Sequence, residues 1–178
     1  MNAKDLIDKY YPEENKLKKM LLTHSSEVSH KTLEVSYRHP ELHLDEDVLY
    51  NGAMLHDIGI FLTNAPTIHC HGTANYLLHG YLGGQILRKE GFPTLARICE
   101  RHTGAGLTCE DIIRQQIPLP HKDFLPETEE EKVICYADKF YSKSDMSHVK
   151  TVEEVYRSLS KFGKEGVMRF KCWQDQFG

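Results

Sequence analysis

The sequence predicts an all-α fold. Apolar residues recur at steps of three, four and seven, which is helical spacing. Few stretches alternate apolar and polar residues as a half-buried strand would. Prolines, glycines and capping patterns cut the chain into helix-length pieces.

The elements follow in order. Asp5 to Tyr11 reads as a short helix stopped by Pro12. Glu13 to about Tyr37 reads as a long one, with Leu17, Met20, Leu21, Val28 and Val35 on its apolar positions, and Pro40 ends it. Asp45 is the expected N-cap of the next helix and Gly59 its C-terminal signal. Thr63 to Asn75 holds Pro66 and Gly72 and reads as a loop, part of a lid or an insertion. A helix is expected from about Tyr76 to Glu90, stopped by Gly91 and Pro93, and another from a Thr94 cap to Arg101. Thr108 or Cys109 opens a short helix through Gln115, and Ile117-Pro118-Leu119-Pro120 breaks the chain. Thr128 with Glu131, and Thr151 with Glu154, are capping-box patterns. The first precedes Val133-Ile134-Cys135-Tyr136-Ala137; the second opens a helix ending near Gly163, and a last helix follows Gly166. No repeat, low-complexity tract or internal boundary interrupts this pattern, so residues 1–178 are expected to form one domain.

Composition narrows the function. The 178 residues are 40% hydrophobic and 27% charged, the profile of a soluble globular chain long enough for a real core. A net charge of −4 does not suit a general nucleic-acid binder. No apolar run approaches a membrane span, and the polar opening Met1-Asn2-Ala3-Lys4-Asp5 is unlike a signal peptide, so the cytoplasm is the expected compartment. The five cysteines (Cys70, Cys99, Cys109, Cys135, Cys172) are dispersed and without a CxxC pair, as reduced thiols are. His69-Cys70-His71 offers soft donors, but no second cysteine-bearing half completes a site.

The chemistry concentrates in His56-Asp57-Ile58-Gly59, which closes the apolar stretch Asp47–Leu55. Histidine supplies a neutral nitrogen ligand; aspartate supplies two hard oxygens able to bridge two ions. Neighbours on a helix point about 100° apart, so the pair is expected to straddle a metal near a helix end, with other ligands on facing helices. His24, His79, His102 and Asp138 each lie on a different expected helix or helix end. Asp138 is an acid in an apolar helix, where an unpaired charge would be costly.

These segments resemble the HD superfamily of metal-dependent phosphohydrolases, in its HDIG branch. The likeness rests on His24-Ser25 with Val28, His56-Asp57-Ile58-Gly59, His79 with Gly83-Gly84-Gln85-Ile86-Leu87, Glu100-Arg101-His102-Thr103-Gly104 and Tyr136-Ala137-Asp138-Lys139. It runs from about residue 21 to 144, leaving C-terminal helices over 151–178. The resemblance implies a helical bundle with a metal site between helices. His24, His56, Asp57 and Asp138 would form a basic mononuclear site; His79 and His102 would add a second ion, bridged by Asp57, at about 3.5–4 Å. His30 competes with His24 as first ligand, and His69 and His71 with His79; the family pattern favours His24 and His79.

The mixed nitrogen and oxygen donors suit one or two divalent ions among Mn, Fe, Co, Ni and Zn. The implied reaction is hydrolysis of a phosphoester or phosphoanhydride by metal-activated water, with Asp57 at its centre. Arg101, Lys139 and Lys122 are candidates for contacting a small phosphorylated substrate, with Glu27 as a further carboxylate near His24. Tyr76, Tyr81 and Phe124 are candidate pocket aromatics or core residues. The segments Glu100–Gly106 and Pro126–Lys132 resemble small archaeal and bacterial HDIG proteins of unassigned activity, and a more distant likeness is to HD-type dinucleoside tetraphosphate hydrolases. A nucleotide substrate is therefore the first expectation. A di-iron HD-type oxygenase, which uses the same ligand cage, is the alternative, followed by a non-catalytic HD signalling module.

Overall fold

The computed structural model describes residues 2–178. Among them the α-helices are α1 (Ala3–Tyr10), α2 (Lys16–Arg38), α3 (Glu46–Leu55), α4 (His79–Lys89), α5 (Pro93–Arg101), α6 (Cys109–Arg114), α7 (Glu129–Asp138), α8 (Val152–Ser160) and α9 (Lys164–Phe177). The fold is all-α, with one short two-stranded sheet. No helix of the described residues is long and apolar enough to cross a membrane.

Local chemistry sets most boundaries. Asn2 and Asn15 cap α1 and α2 through side-chain oxygens, so α1 begins a little earlier than Asp5 and α2 a little later than Glu13. Asp45 caps α3 by accepting from the Val48 amide. Thr128/Glu131 and Thr151/Glu154 form complete capping boxes on α7 and α8, and Thr108/Asp111 forms a third on α6. Three expectations are corrected. The last helix does not wait for Gly166: α9 starts at Lys164 and Gly166 lies within its first turn. Thr94 does not cap α5, because Pro93 already occupies the first helical turn, where its fixed φ and missing N–H cost nothing. The Thr63–Asn75 segment is not bare loop: β1 (Asn64–Ala65) pairs antiparallel with β2 (Cys70–His71), in the register Asn64 to His71 and Ala65 to Cys70. Strands of two residues leave no alternation to read.

One apolar cluster extends from Ala3 in α1 to Phe177 in α9. Within it α2 packs on α3 and α7, and α4 packs on α5. Tyr136 of α7 stacks on Phe170 of α9, with ring centroids 5.3 Å apart, and meets Phe177 edge-on at 5.6 Å. A smaller cluster joins Leu107, Ile112, Ile117, Leu119 and Phe124 beneath the 102–128 connection. Tyr81 and Phe124 meet there at 6.1 Å, so these two aromatics are packing residues.

Two glycines let the helices close on the centre of the molecule. A Cβ at Gly59 would lie 2.4 Å from the Gly83 nitrogen and from the His79 carbonyl oxygen. One at Gly80 would lie 2.3 Å from the Cys99 carbonyl oxygen. The HDIG turn, α4 and α5 therefore touch backbone to backbone, which no larger residue permits.

Candidate metal centre

α3 stops at Leu55, and residues 56–59 form a turn rather than further helix. That release from helical geometry lets adjacent side chains converge. His56 and Asp57 are both fully buried, and His56 Nε2 lies 3.1 Å from Asp57 Oδ2. Cys99 donates its thiol to the Leu55 and His56 carbonyls at 3.1 and 3.0 Å, and the Tyr11 hydroxyl donates to the Ile58 carbonyl at 2.8 Å. The His56 and Ile58 carbonyls beyond the helix end gain donors in this way, while the Leu55 carbonyl also accepts from the Ile58 amide at 3.0 Å.

Four other side chains meet this pair. His24 projects from α2, Asp138 from the end of α7, His79 from the start of α4 and His102 from the end of α5. All are buried. His24 Nε2 lies 3.3 Å from His56 Nε2 and 3.0 Å from Asp138 Oδ1, and His56 Nε2 lies 3.4 Å from that same oxygen. Asp57 Oδ2 faces this group, 3.3 Å from His24 Nε2. Its other oxygen, Oδ1, faces the second pair, 3.4 Å from both His79 Nε2 and His102 Nε2. The two second-pair nitrogens are 3.0 Å apart.

The donors fit a metal. Ligands about 2.1 Å from one ion lie about 3.0 Å apart at an octahedral edge and about 3.4 Å apart at a tetrahedral one. The donor separations here run from 3.0 to 3.4 Å. The ring tautomers are also set. Nδ1 of His56, His79 and His102 each bonds the carbonyl three residues earlier, Ala53, Tyr76 and Cys99, at 2.6 to 2.7 Å. Each Nδ1–H donation leaves Nε2 as the inward-facing donor, the arrangement of metal-binding histidines. Both Asp57 oxygens are buried without a well-directed hydrogen bond, although a lysine ammonium approaches one of them. Buried oxygens in that state call for a cation.

The electrostatics agree. Burial pushes His56 down, but Asp57 and Asp138 overcome it and raise it to about 9. Burial and the His102 charge lower His79 to about 3, and burial lowers His102. Burial works against Asp57 and Asp138, yet His56 and Lys143 on the former, and Lys139 and Lys143 on the latter, hold both carboxyls well below the usual range.

The structure thus brings together His24, His56, Asp57, His79, His102 and Asp138. His30, His69 and His71 are exposed and lie outside the cluster. The three basic candidates separate. Lys139 pairs with Asp138 Oδ2 at 2.7 Å and donates to the His102 carbonyl at 2.9 Å, so it braces two residues of the cluster. Arg101 turns away, onto Glu127 at 2.6 Å and the Leu125 carbonyl. Lys122 lies over the Phe124 ring at 5.0 Å and makes no ion pair among the described residues.

Sequence reasoning missed Lys143, whose ammonium lies 2.7 Å from Asp57 Oδ2. It lines a cavity of about 360 Å³ with Lys150, Tyr76, Tyr141, Ser142 and Ser144. Tyr76 stacks on His79 at 4.6 Å, linking this cavity to the cluster. The only signal in the sequence was a lysine five residues beyond Asp138.

Comparison with known proteins places the chain in a family. The HD domain family matches residues 21–142, and the chain belongs to it. Among curated relatives, an uncharacterized protein of Methanocaldococcus jannaschii is 44% identical over 96 residues, 53% of this chain and 49% of that protein. Proteins named tRNA (cytidine(56)-2'-O)-methyltransferase from Picrophilus torridus and Thermoplasma volcanium are 36% and 31% identical. Each of those matches covers 64% of this chain and 30% of the relative. The chain therefore spans 30% to 49% of the length of these relatives. No solved structure matches it.

Proposed function

We propose that this chain is a metal-dependent phosphohydrolase acting on a small phosphorylated substrate, a nucleotide in the first instance. The observation that carries the reading is the orientation of Asp57. One oxygen faces His24, His56 and Asp138; the other faces His79 and His102. A carboxylate so placed would hold two cations, and the donors suit divalent ions from the Mn, Fe, Co, Ni and Zn group. When bound, such ions supply Lewis acidity toward phosphate oxygens and lower the pKa of water.

The chain's own residues do the rest. The Nδ1 bonds to Ala53, Tyr76 and Cys99 hold three imidazoles in one orientation, so these rings need not reorient on binding. Lys139 fixes the outer oxygen of Asp138 and leaves the inner one to the centre. Burial keeps bulk water from the donors and strengthens every charge interaction there. Lys143 and Lys150, in the adjoining cavity, favour an anionic substrate. Two relatives that carry tRNA-modifying names add support for a nucleotide-derived substrate.

The test is phosphate release from nucleotides, dinucleoside polyphosphates and cyclic dinucleotides, by protein stripped and reloaded with Mn²⁺, Co²⁺, Fe²⁺ or Ni²⁺. Turnover by the wild type and none by Asp57→Ala is the expected result. Silence across the panel with two irons bound would overturn the reading in favour of the oxygenase, which the same cage serves.

A further inference from the structure

Among the cations near the cluster, Lys143 and Lys139 are held differently. Lys139 is satisfied twice by groups outside the donor set, Asp138 Oδ2 and the His102 carbonyl. Lys143 has one ion pair among the described residues, to Asp57 Oδ2, the same oxygen that His24 and His56 face. Its side chain is 13% exposed and opens on the cavity that Lys150 also lines. Lys150 makes no ion pair among the described residues. The two lysines are brought together by a chain reversal in which Tyr141 bridges Val149 and the Lys150 amide donates to the Phe140 carbonyl at 2.8 Å.

A divalent ion on Asp57 Oδ2 and an ammonium on that oxygen compete for one ligand and repel one another. Lysine is a compact charge on a flexible four-carbon stem, so it has a second position available. From Lys143 that position is the cavity that Lys150 also lines, and Lys150 has no ion-pair partner among the described residues.

We propose that Lys143 is a two-position residue. In the metal-free protein it neutralises Asp57. When metal takes Asp57 Oδ2, its ammonium swings into that cavity and, with Lys150, binds the phosphate group of the substrate. The phosphate half of this inference rests on the phosphohydrolase reading; the Asp57 half does not.

Mn²⁺ affinity, read by competition with a fluorescent chelator, and orthophosphate affinity of the Mn²⁺-loaded protein, read by calorimetry, test both halves. Lys143→Gln should bind Mn²⁺ about tenfold more tightly and orthophosphate about tenfold more weakly, the scale of one charge-assisted contact. Lys150→Gln should weaken orthophosphate alone. A merely structural lysine would move both affinities the same way, or neither. Mn²⁺ binding that is unchanged or weaker in a folded Lys143→Gln protein would overturn the exchange at Asp57. Tighter Mn²⁺ with unchanged orthophosphate would overturn the phosphate role. Lys143→Met, which keeps the apolar stem, makes the same comparison if circular dichroism shows the glutamine variant unfolded. Neither affinity involves turnover, so a silent phosphate-release panel would overturn the hydrolase reading and leave the Asp57 exchange standing.

Discussion

The thiol of Cys99 lies 3.0 Å from the carbonyl oxygen of His56 and donates to it across the α3–α5 contact. The same thiol serves the Leu55 carbonyl at 3.1 Å. A side chain outside the His/Asp cluster thus fixes the peptide that carries one of its members. Burial raises the thiol well above its usual range, which keeps it a protonated donor.

Cys99→Ala should therefore cost about 1–3 kcal/mol, from the His56 carbonyl left without its thiol donor and a small void; the Leu55 carbonyl keeps the Ile58 amide. Metal affinity should fall with it, because the His56 turn loosens. Urea unfolding of the metal-free protein and a metal titration read the two effects separately. Stability within about 0.5 kcal/mol of wild type, the range of an ordinary surface change, would show the thiol contacts to be idle.

Gly80→Ala should be at least as damaging. The new methyl would stand 2.3 Å from the Cys99 carbonyl oxygen, which is backbone and cannot swing aside. Separating α4 from α5 to relieve the overlap would cost about 1–3 kcal/mol or more and draw His79 away from His102. The expected signature is a lowered Tm together with loss of metal from the His79 and His102 side.

Proton competition gives a pH dependence with a definite sign. In the metal-free protein His56 is raised from 6.5 to about 9, with burial opposing and Asp57 and Asp138 prevailing. Its contribution to stability is then full below pH 6.5 and is lost as pH rises through about 9. Asp57 and Asp138 run the other way: their contribution is present above 3.8 and is lost as pH falls well below it. Metal binding requires unprotonated His56, so apparent affinity should rise from pH 6.5 toward 9. Calorimetry in buffers of different ionisation enthalpy should register proton release near neutral pH. Binding with no proton released there would contradict this assignment of His56.

The choice of first ligand is open to a paired substitution. His24 is buried on the cluster side of α2, whereas His30 is exposed. His24→Ala should lower bound metal, and His30→Ala should leave it unchanged.

Much of this arrangement was legible in the sequence because its signals are local. Asp45, Thr128 and Thr151 announce helix starts through their own side chains, and the structure uses all three. Residues that depend on chain reversal were not legible. Lys143 reaches Asp57 only because the chain turns back after α7, and no periodicity encodes that turn. Arg101 shows the converse error. It is next to His102 in sequence, but about 100° of helical rotation sends it to Glu127 instead. The Asn64–His71 hairpin escaped notice for lack of length, and Pro93 displaced the cap expected at Thr94.

Asp57 turns one oxygen to each group of histidines, and on the proposed reading it would join two metal positions. Elemental analysis of the reconstituted wild type beside Asp57→Ala examines that role, with circular dichroism confirming that both are folded. Two ions per wild-type chain, and loss of bound metal in the variant, are expected. A folded Asp57→Ala protein that keeps the wild-type stoichiometry would contradict that role.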